Sequence, residues 1–257
     1  MILFDAHCHL HDDQFRGCLQ QVMDRAGTAG VARMVCCGCD ESNWATVRSL
    51  AREYESVLPS FGLYPLDVPK RSPDWLEKLK SFLISIPSGV GEIGLDNSIE
   101  GVNDREQEEV FVAQLRLARE IGRPVTIHCR KAFGRLLEIL KQEGGVSHGG
   151  IMHTWSGSPE LVRPFEELGL CISFSGAITR EGNRRGHKSI KAVSRERLLI
   201  ETDSPGLMPS GIQGEFNEPA NLPVIARAAA ALLGETVEKV AELTFNNAKR
   251  LFSFKAG

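Results

Sequence analysis

The chain has 257 residues, of which 42% are hydrophobic and 25% charged, and a formal net charge of −3. This composition is typical of a globular protein, and the small negative charge argues against a strong overall attraction to nucleic acid while leaving room for a local basic patch. No apolar run is long enough to span a membrane, the N-terminal stretch lacks the features of a signal peptide, and the seven scattered cysteines favour free thiols over a disulfide framework. We therefore expect a cytoplasmic protein with no membrane association and no obligate protein partner.

Short apolar runs alternate with longer segments of helical periodicity along the chain. The predicted strands lie at residues 2–7, 33–38, 57–62, 89–94, 124–129, 149–154, 170–175 and 197–202. Helices are predicted at about residues 14–29, 42–54, 72–86, 103–121, 131–143, 158–168, 183–194, 219–233 and 236–251.

This alternation predicts an α/β fold. Strands that are apolar nearly throughout are typical of a parallel sheet covered by helices. Eight such units favour a closed (β/α)8 TIM-like barrel over an open doubly wound sheet, which usually carries a Gly-rich nucleotide loop after its first strand. Here the first strand ends in His-x-His instead. We expect one barrel domain that spans residues 1–257.

Metal-binding residue types lie where several of the predicted strands end, and in barrels the functional residues lie at those carboxyl ends. A single histidine there is usually a hydrogen-bonded structural residue. Several imidazoles and carboxylates at one rim would be costly to bury without a common partner. The sequence therefore predicts a metal centre built from His7, His9, Glu92, His128, His153 and Asp203.

Residues close to the predicted ligands in the sequence are expected to have structural roles. Alternate strand residues share a face, so both histidines of the first motif point inward while Cys8 packs outward. We interpret His11 as a solvent-facing loop residue and Glu201 as a deeper residue that supports the site. Cys36 and Cys39 are interpreted as small core residues, with a zinc or redox role as the minor alternative.

The ligand types indicate which ions the centre would take. Imidazole with carboxylate suits divalent transition metals better than calcium. Six ligands exceed the three that one catalytic zinc usually takes, so we expect two divalent ions per chain that share a bridging carboxylate. The candidates are zinc, manganese, magnesium, nickel and iron. A carboxylate beside an activated water can orient it and accept its proton, which is the catalytic role predicted for Asp203.

Sequence blocks along nearly the whole chain are similar to those of the TatD family of metal-dependent hydrolases. The blocks are DAHCHLH (5–11), GEIGLD (91–96), REQEEVFVAQLRLAREIGRPVTIHCRKA (105–132), MHTWSGSPE (152–160), ISFSGAIT (172–179), LLIETDSP (198–205), NEPANLP (217–223) and FNNAKRLF (245–252). The resemblance implies a (β/α) barrel with a two-metal centre and hydrolysis of a phosphodiester, as in deoxyribonucleases. The implied ligands are His7, His9, Glu92 and Asp203 for one ion, and Glu92, His128 and His153 for the other. Glu92 would bridge the ions, and we expect both it and Asp203 to be essential for turnover.

The chain departs from the family pattern where substrate would be held. Tyr64 replaces the His of a Gly-x-His-Pro motif, Phe216 replaces an Arg that usually precedes Asn-Glu-Pro, and Lys131 replaces an Asp. A Tyr donates a hydrogen bond but carries no positive charge, and a Phe cannot form a bidentate phosphate contact. We expect an intact metal centre with a changed substrate wall. The stretch GIQGEFNEP is similar to the YjjV-like branch of the family.

The predicted function is hydrolysis of DNA or another phosphodiester by metal-activated water. Arg130, Tyr64 and Trp155 are candidate substrate contacts, Trp155 either stacking on a base or packing over the metal site. The basic segment 178–197 either binds phosphates or forms a solvated helix face. Two other classes stay open: an amide or ester hydrolase of a small molecule or an aminoacyl ester, and a non-catalytic metal-dependent binding protein.

Overall fold

The structure is a computed structural model that describes residues 1–98 and 104–253. It contains eight parallel strands in one sheet, and each strand pairs with the next along the chain. The strands are β1 (Leu3–Cys8), β2 (Val31–Gly38), β3 (Val57–Phe61), β4 (Gly89–Asp96), β5 (Val125–Arg130), β6 (Gly150–Met152), β7 (Leu170–Phe174) and β8 (Leu198–Ile200). This order confirms the predicted TIM-like barrel.

Helices cover the outside of the barrel and alternate with the strands. They are α1 (Leu19–Thr28), α2 (Trp44–Glu53), α3 (Trp75–Ser85), α4 (Asp104–Glu120), α5 (Phe133–Gln142), α6 (Pro159–Glu167), α7 (Arg184–Ala192), α8 (Leu222–Leu233) and α9 (Val237–Leu251). Each matches a predicted helix, although position 103 of the fourth lies outside the described residues. Among the described residues, no helix is both long and apolar enough to cross a membrane.

The first helix begins later than predicted. Residues 14–18 belong to a short 3-10 helix, Asp13–Phe15, and a turn in which Gly17 has a φ of +83°. The Asp12 side chain caps this 3-10 helix by accepting a hydrogen bond from Gln14 N at 2.9 Å. The regular helix therefore begins only at Leu19, after a glycine whose left-handed conformation interrupts the helical path.

The apolar side chains form two clusters. The larger cluster packs the outer faces of the strands against the helices. The smaller cluster fills the barrel interior with alternating strand residues such as Val35 and Cys37, joined by Ala248 of α9 and by Phe252 directly after it. This interior packing closes one end of the barrel, so the polar residues at the strands' carboxyl ends gather at the other.

The barrel closes where β1 meets the segment after β8. Asp203 N donates to His7 O at 2.9 Å and His9 N donates to Ser204 O at 2.8 Å. Beneath them the buried Asp5 carboxylate accepts bonds from Thr202 N at 2.8 Å and from the Thr202 hydroxyl at 2.5 Å. This closure fixes the chain segment that carries Asp203 beside the one that carries the two histidines.

Candidate metal centre

The six predicted ligands converge at the carboxyl end of the barrel. They come from β1, β4 and β5 and from the segments directly after β1, β6 and β8. All except His7 line one open cavity of about 370 Å³, and His7 is fully buried directly beneath it. The structure therefore brings together side chains that are far apart in the sequence. The most distant two, His7 and Asp203, are separated by 196 positions.

Glu92 lies at the centre of this group, and its two oxygens face different histidines. Oε1 is 3.0 Å from His128 Nδ1 and 2.8 Å from His153 Nε2. Oε2 is 3.5 Å from both His7 Nε2 and His9 Nε2. One carboxylate thus joins two imidazole pairs.

Asp203 completes the pair on β1. Its Oδ1 lies 3.4 Å from both His7 Nε2 and His9 Nε2. Its Oδ2 lies 3.3 Å from the Thr154 hydroxyl, which is itself 2.7 Å from Glu201 Oε1. The Asp203 side chain is 17% exposed and lines the cavity. Glu201 supports the site from a buried position, as its depth in the strand had predicted.

The other ring nitrogens of the first pair meet groups of Cys37. His7 Nδ1 lies 3.3 Å from Cys37 Sγ, and His9 Nδ1 lies 3.1 Å from Cys37 O. A carbonyl oxygen only accepts, so His9 Nδ1 carries the proton and donates it. The Nε2 atoms of His7 and His9, 3.0 Å apart, face Glu92 and Asp203.

The second pair is backed by carboxylates. His128 Nε2 donates to Asp96 Oδ2 at 3.0 Å, which leaves Nδ1 free to face Glu92. His153 Nδ1 lies 3.6 Å from Glu201 Oε1, which is too long for a hydrogen bond. The Tyr64 hydroxyl lies 3.3 Å from Asp96 Oδ2 and 3.5 Å from His128 Nε2.

A β-bulge lies in β1 at the first of the predicted ligands. Asp5 pairs with Met34 and Cys8 with Cys36, so two residues of β1 lie opposite one residue of β2. His7 is one of those two residues. A bulge re-aims a side chain relative to strict alternation, so this one helps to set the direction of the His7 ring.

A second bulge lies in β4 at the shared carboxylate. Val90 pairs with Val125 and Ile93 with Ile127, so the two residues between them on β4 lie opposite Thr126 alone. Those two residues are a glycine, at position 91, and Glu92. Each of the two bulges therefore includes a residue of the metal centre.

The charge state of the cluster follows from its neighbours. Burial by itself raises the pKa of Glu92, but the imidazoles of His153, His128 and His7 outweigh it and hold that pKa well below its usual range. Burial likewise raises the pKa of Asp203, and the histidines lower it overall. Both carboxylates are therefore anionic at neutral pH, as ligands of a cation must be.

The donor set fits divalent cations. Three groups of side chains place their ligand atoms within 4.8 Å of one another: His7, His153 and Asp203; His7, His9 and Glu92; and Glu92, His128 and His153. Ligand atoms about 2.1 Å from a tetrahedral zinc ion are about 3.4 Å apart, which is close to the separations found around Glu92. Imidazole nitrogens and carboxylate oxygens gathered in this way are the ligand types that divalent transition metals take.

The candidate substrate contacts lie in different places. Tyr64 lines the cavity beside His128. Arg130 is exposed at the end of β5 and is absent from the described cavity lining. Trp155 is buried and packs edge-on against Phe133 and Phe165, with ring centroids 5.1 and 5.6 Å away. Trp155 is also absent from the described cavity lining, so it packs in the core instead of stacking on a base or packing over the metal site.

Three further residues differ from their expected positions. Phe216 packs against Phe15 at a centroid distance of 5.2 Å, away from the described cavity lining. His11 and Cys39 both line the cavity instead of lying in solvent or in the core. Cys39 follows the last residue of β2, so the alternation of the strand does not extend to it.

Asp96 is the functional residue that the sequence analysis missed. It lies four positions after Glu92 on β4 and is fully buried. Burial raises its pKa, but hydrogen bonds from His128 and Ser98 outweigh that effect and lower it, so Asp96 stays anionic. The available signal was a carboxylate at the end of a strand that already carried one predicted ligand.

Comparison with known proteins places the chain in a family. The profile described as TatD related DNase matches residues 4–253. The chain belongs to this family. It is 34% identical to the metal-dependent hydrolase YabD of Bacillus subtilis over 254 residues, which cover 98% of this chain and 99% of YabD. It is also 34% identical to the 3'-5' ssDNA/RNA exonuclease TatD of Edwardsiella piscicida over 260 residues, covering 97% and 99% of the two chains.

The fold of this TatD-family chain is also that of a solved relative. The crystal structure of YjjV, a TatD homologue from Escherichia coli, superposes with a TM-score of 0.93 at 30% sequence identity and covers 98% of each chain. The resemblance found in the sequence is thereby confirmed, and the chain is a metal-dependent hydrolase.

Proposed function

We propose that this TatD-family hydrolase is a phosphodiesterase of the deoxyribonuclease type with two divalent ions per chain. The observation that carries the proposal is the position of Glu92, whose two oxygens face separate imidazole pairs. A carboxylate in that position suits a bridge between two cations. The exonuclease activity named for the relative TatD supports nucleic acid as the substrate class.

The two ions would have distinct ligands. His7, His9, Glu92 and Asp203 would hold one, and Glu92, His128 and His153 the other. When bound, such a pair lowers the pKa of a water and offsets the negative charge that develops on phosphate oxygens. Zinc, manganese, magnesium, nickel and iron are the candidate metals, and the four imidazoles favour the transition metals among them.

Two residues of the cavity have proposed roles in addition to holding the ions. Asp203 is anionic and partly exposed, with Oδ1 toward the histidines and Oδ2 3.3 Å from the Thr154 hydroxyl, so it is placed to orient a water and accept its proton. Tyr64 lines the cavity with a hydroxyl that can donate to a substrate oxygen. We also propose that residues 1–257 act as one domain, and the seven free thiols support a reducing, cytoplasmic location.

A second candidate is hydrolysis of an amide or ester, including an aminoacyl ester. Within the described part of the chain, the cavity lining includes the acids Asp12 and Asp67 but neither lysine nor arginine. Such a wall suits a substrate amine as well as it suits a phosphate that is neutralised by metal. The same assay decides between the two candidates.

The test compares substrates and two matched variants. Metal-free protein is reloaded with each candidate metal and assayed on bis-p-nitrophenyl phosphate, single-stranded DNA, and a panel of amides and aminoacyl esters. We expect two bound ions and hydrolysis of the phosphodiesters. Asp203→Asn should lose at least about 10²-fold in turnover, the low end of the contribution of a proton acceptor. Asp67→Asn, which changes a cavity residue paired with Lys70, should retain activity within a few-fold.

Two outcomes would contradict the proposal. Activity confined to the amide or aminoacyl ester panel would favour the second candidate instead. Undiminished turnover in Asp203→Asn would remove that residue from the reaction.

A further inference from the structure

The segment of residues 180–191 is rich in basic side chains, and none of them has a role in the metal centre described above. Five cations between positions 180 and 191 are exposed: Arg180, Arg184, Arg185, Lys188 and Lys191. Within residues 1–98 and 104–253, none of the five side chains forms an ion pair or a hydrogen bond. Elsewhere exposed cations are commonly paired, as Arg116 is with Glu143 and Arg135 with Glu108.

The helix α7 arranges three of these cations in a stripe. Arg184, Lys188 and Lys191 are four and three positions apart, which places them on one face. The opposite face carries the buried residues Gly186, Ser189 and Ile190. Like charges at this spacing destabilise a helix. Arg184 in the first turn is also unfavourable to the helix dipole, and only Lys191 in the last turn is favourable to it.

The stripe begins at the rim that carries the metal centre. The 3-10 helix Gly176–Thr179 follows the end of β7 and leads directly to Arg180. It packs against the loop after β8: Ser210 N donates to Thr179 Oγ1 at 2.7 Å, and Gly176 lies so close to Leu207 O that a Cβ would clash with it. Asp203 lies on that same loop, so one loop connects the start of the basic segment with a residue of the centre.

We propose that this segment is a docking track for the phosphate backbone of a single-stranded nucleic acid that enters the metal centre. The inference rests on the proposed function and adds where the substrate outside the cavity is held. Among the described residues the cavity lining has neither lysine nor arginine, so phosphates away from the cut need another positive surface. Ile190, the large apolar residue of α7, is fully buried, so the helix offers no apolar face for insertion into a membrane.

The test reverses the charge of the stripe and compares it with an equal change elsewhere. The test variant is Arg184→Glu with Lys188→Glu and Lys191→Glu. The control is Arg52→Glu with Lys141→Glu and Arg227→Glu, three exposed cations on other helices. Binding of a labelled single-stranded oligonucleotide to metal-free protein is measured by fluorescence anisotropy at several salt concentrations. Hydrolysis of the oligonucleotide and of bis-p-nitrophenyl phosphate is measured on metal-loaded protein.

We expect the test variant to bind the oligonucleotide at least tenfold more weakly than the control does. The slope of log affinity against log salt should fall by about two to three, since each lost phosphate contact lowers it by about one. Hydrolysis of bis-p-nitrophenyl phosphate, which is too small to reach α7, should stay unchanged. The milder variant with Gln at the same three positions should lie between wild type and the reversal, and it serves if the reversal does not fold.

The two proposals fail in different ways. If wild type cleaves neither substrate, the proposed function is wrong, and the track is judged by oligonucleotide binding alone. If wild type cleaves both and the stripe variants match the control in binding and salt slope, the docking track is wrong while the proposed function stands.

Discussion

The two imidazole pairs around Glu92 are supported in different ways. Behind the pair on β1 stand neutral groups, the thiol and the carbonyl of Cys37, at 3.3 and 3.1 Å from the histidines. Behind the pair formed by His128 on β5 and His153 after β6 stand two carboxylates, Asp96 at 3.0 Å and Glu201 at 3.6 Å. We call these the thiol-backed pair and the acid-backed pair.

The difference shows where each pair obtains its negative charge. The thiol-backed pair has Asp203 in direct contact, whereas the acid-backed pair has its additional carboxylates behind the rings. A carboxylate behind an imidazole makes that ring a stronger donor and fixes its orientation. The thiol-backed pair instead shares a partly exposed acid, which suits it to the proton transfer that we assign to Asp203. The predictions below test whether the two pairs act separately.

The largest effect should come from Glu92, because both pairs depend on it. Glu92→Ala should bind less than one ion and lose more turnover than the roughly 10²–10³-fold that removal of one stabilising group costs. The double variant His7→Asn with His9→Asn should lose the ion of the thiol-backed pair and keep the other. The variant His128→Asn should lose the ion of the acid-backed pair and keep the other. Elemental analysis of purified protein measures the ion count. Two ions retained by Glu92→Ala would end the bridging assignment.

A change at Gly91 should disturb both pairs through the backbone. A Cβ there would lie 2.6 Å from Thr126 Cβ and 2.8 Å from Thr126 O, inside the bulge that presents Glu92. Gly91→Ala should lower the free energy of unfolding by about 1–3 kcal/mol, as overpacking does, and should weaken binding of both ions. Chemical denaturation and metal titration measure the two effects.

The control for this change is Gly89→Ala on the same strand. The atom nearest to its Cβ would be Ser60 Oγ, at 3.0 Å, and the next contacts would lie at 3.5 Å. We therefore expect a smaller loss of stability and unchanged metal binding. Metal binding that is equally weak in both variants would show that the bulge has no special part in presenting Glu92.

The bulges also mark the limit of what the sequence predicts. The eight strands were predicted because apolar runs alternate with helical periodicity, and that pattern depends only on local sequence. The six residues of the centre were found because strand ends of a parallel barrel must meet at one rim. Strict alternation cannot reveal the bulge at Gly91 and Glu92, since a bulge is defined by pairing with a neighbouring strand.

Contacts between residues from distant segments could not be predicted from the sequence for a similar reason. Nothing local in the sequence shows that the Cys37 thiol and carbonyl meet two histidines, or that Asp96 meets His128. Trp155 illustrates the same limit, because only the positions of the phenylalanine rings around it show that it packs in the core and not at the metal site. The start of α1 was missed for a local reason, the left-handed Gly17.

A change at Asp96 should separate the two pairs. Asp96→Asn keeps the shape of the side chain but removes the charge that backs His128. We expect affinity for the ion of the acid-backed pair to fall by about 10–100-fold, which is typical of such supporting residues. Affinity for the other ion should not change, so a metal titration should become biphasic. Tyr64→Phe is the control, because it removes a hydroxyl near both groups and leaves the carboxylate. Equal weakening of both ions would contradict separate pairs.

The smallest effect should come from the Cys37 side chain. Cys37→Ala removes the sulfur near His7 Nδ1 but leaves the carbonyl that accepts from His9, so one of the two supports remains. A neutral acceptor contributes less than a carboxylate, and we expect affinity for the ion of the thiol-backed pair to fall by less than about tenfold. Cys171→Ala is the control, since Cys171 is a buried thiol of the same interior cluster. Both variants should lose a similar, small amount of stability in chemical denaturation, and only Cys37→Ala should weaken metal binding. A loss as large as that of Asp96→Asn would mean that the thiol supports its histidine as strongly as a carboxylate does.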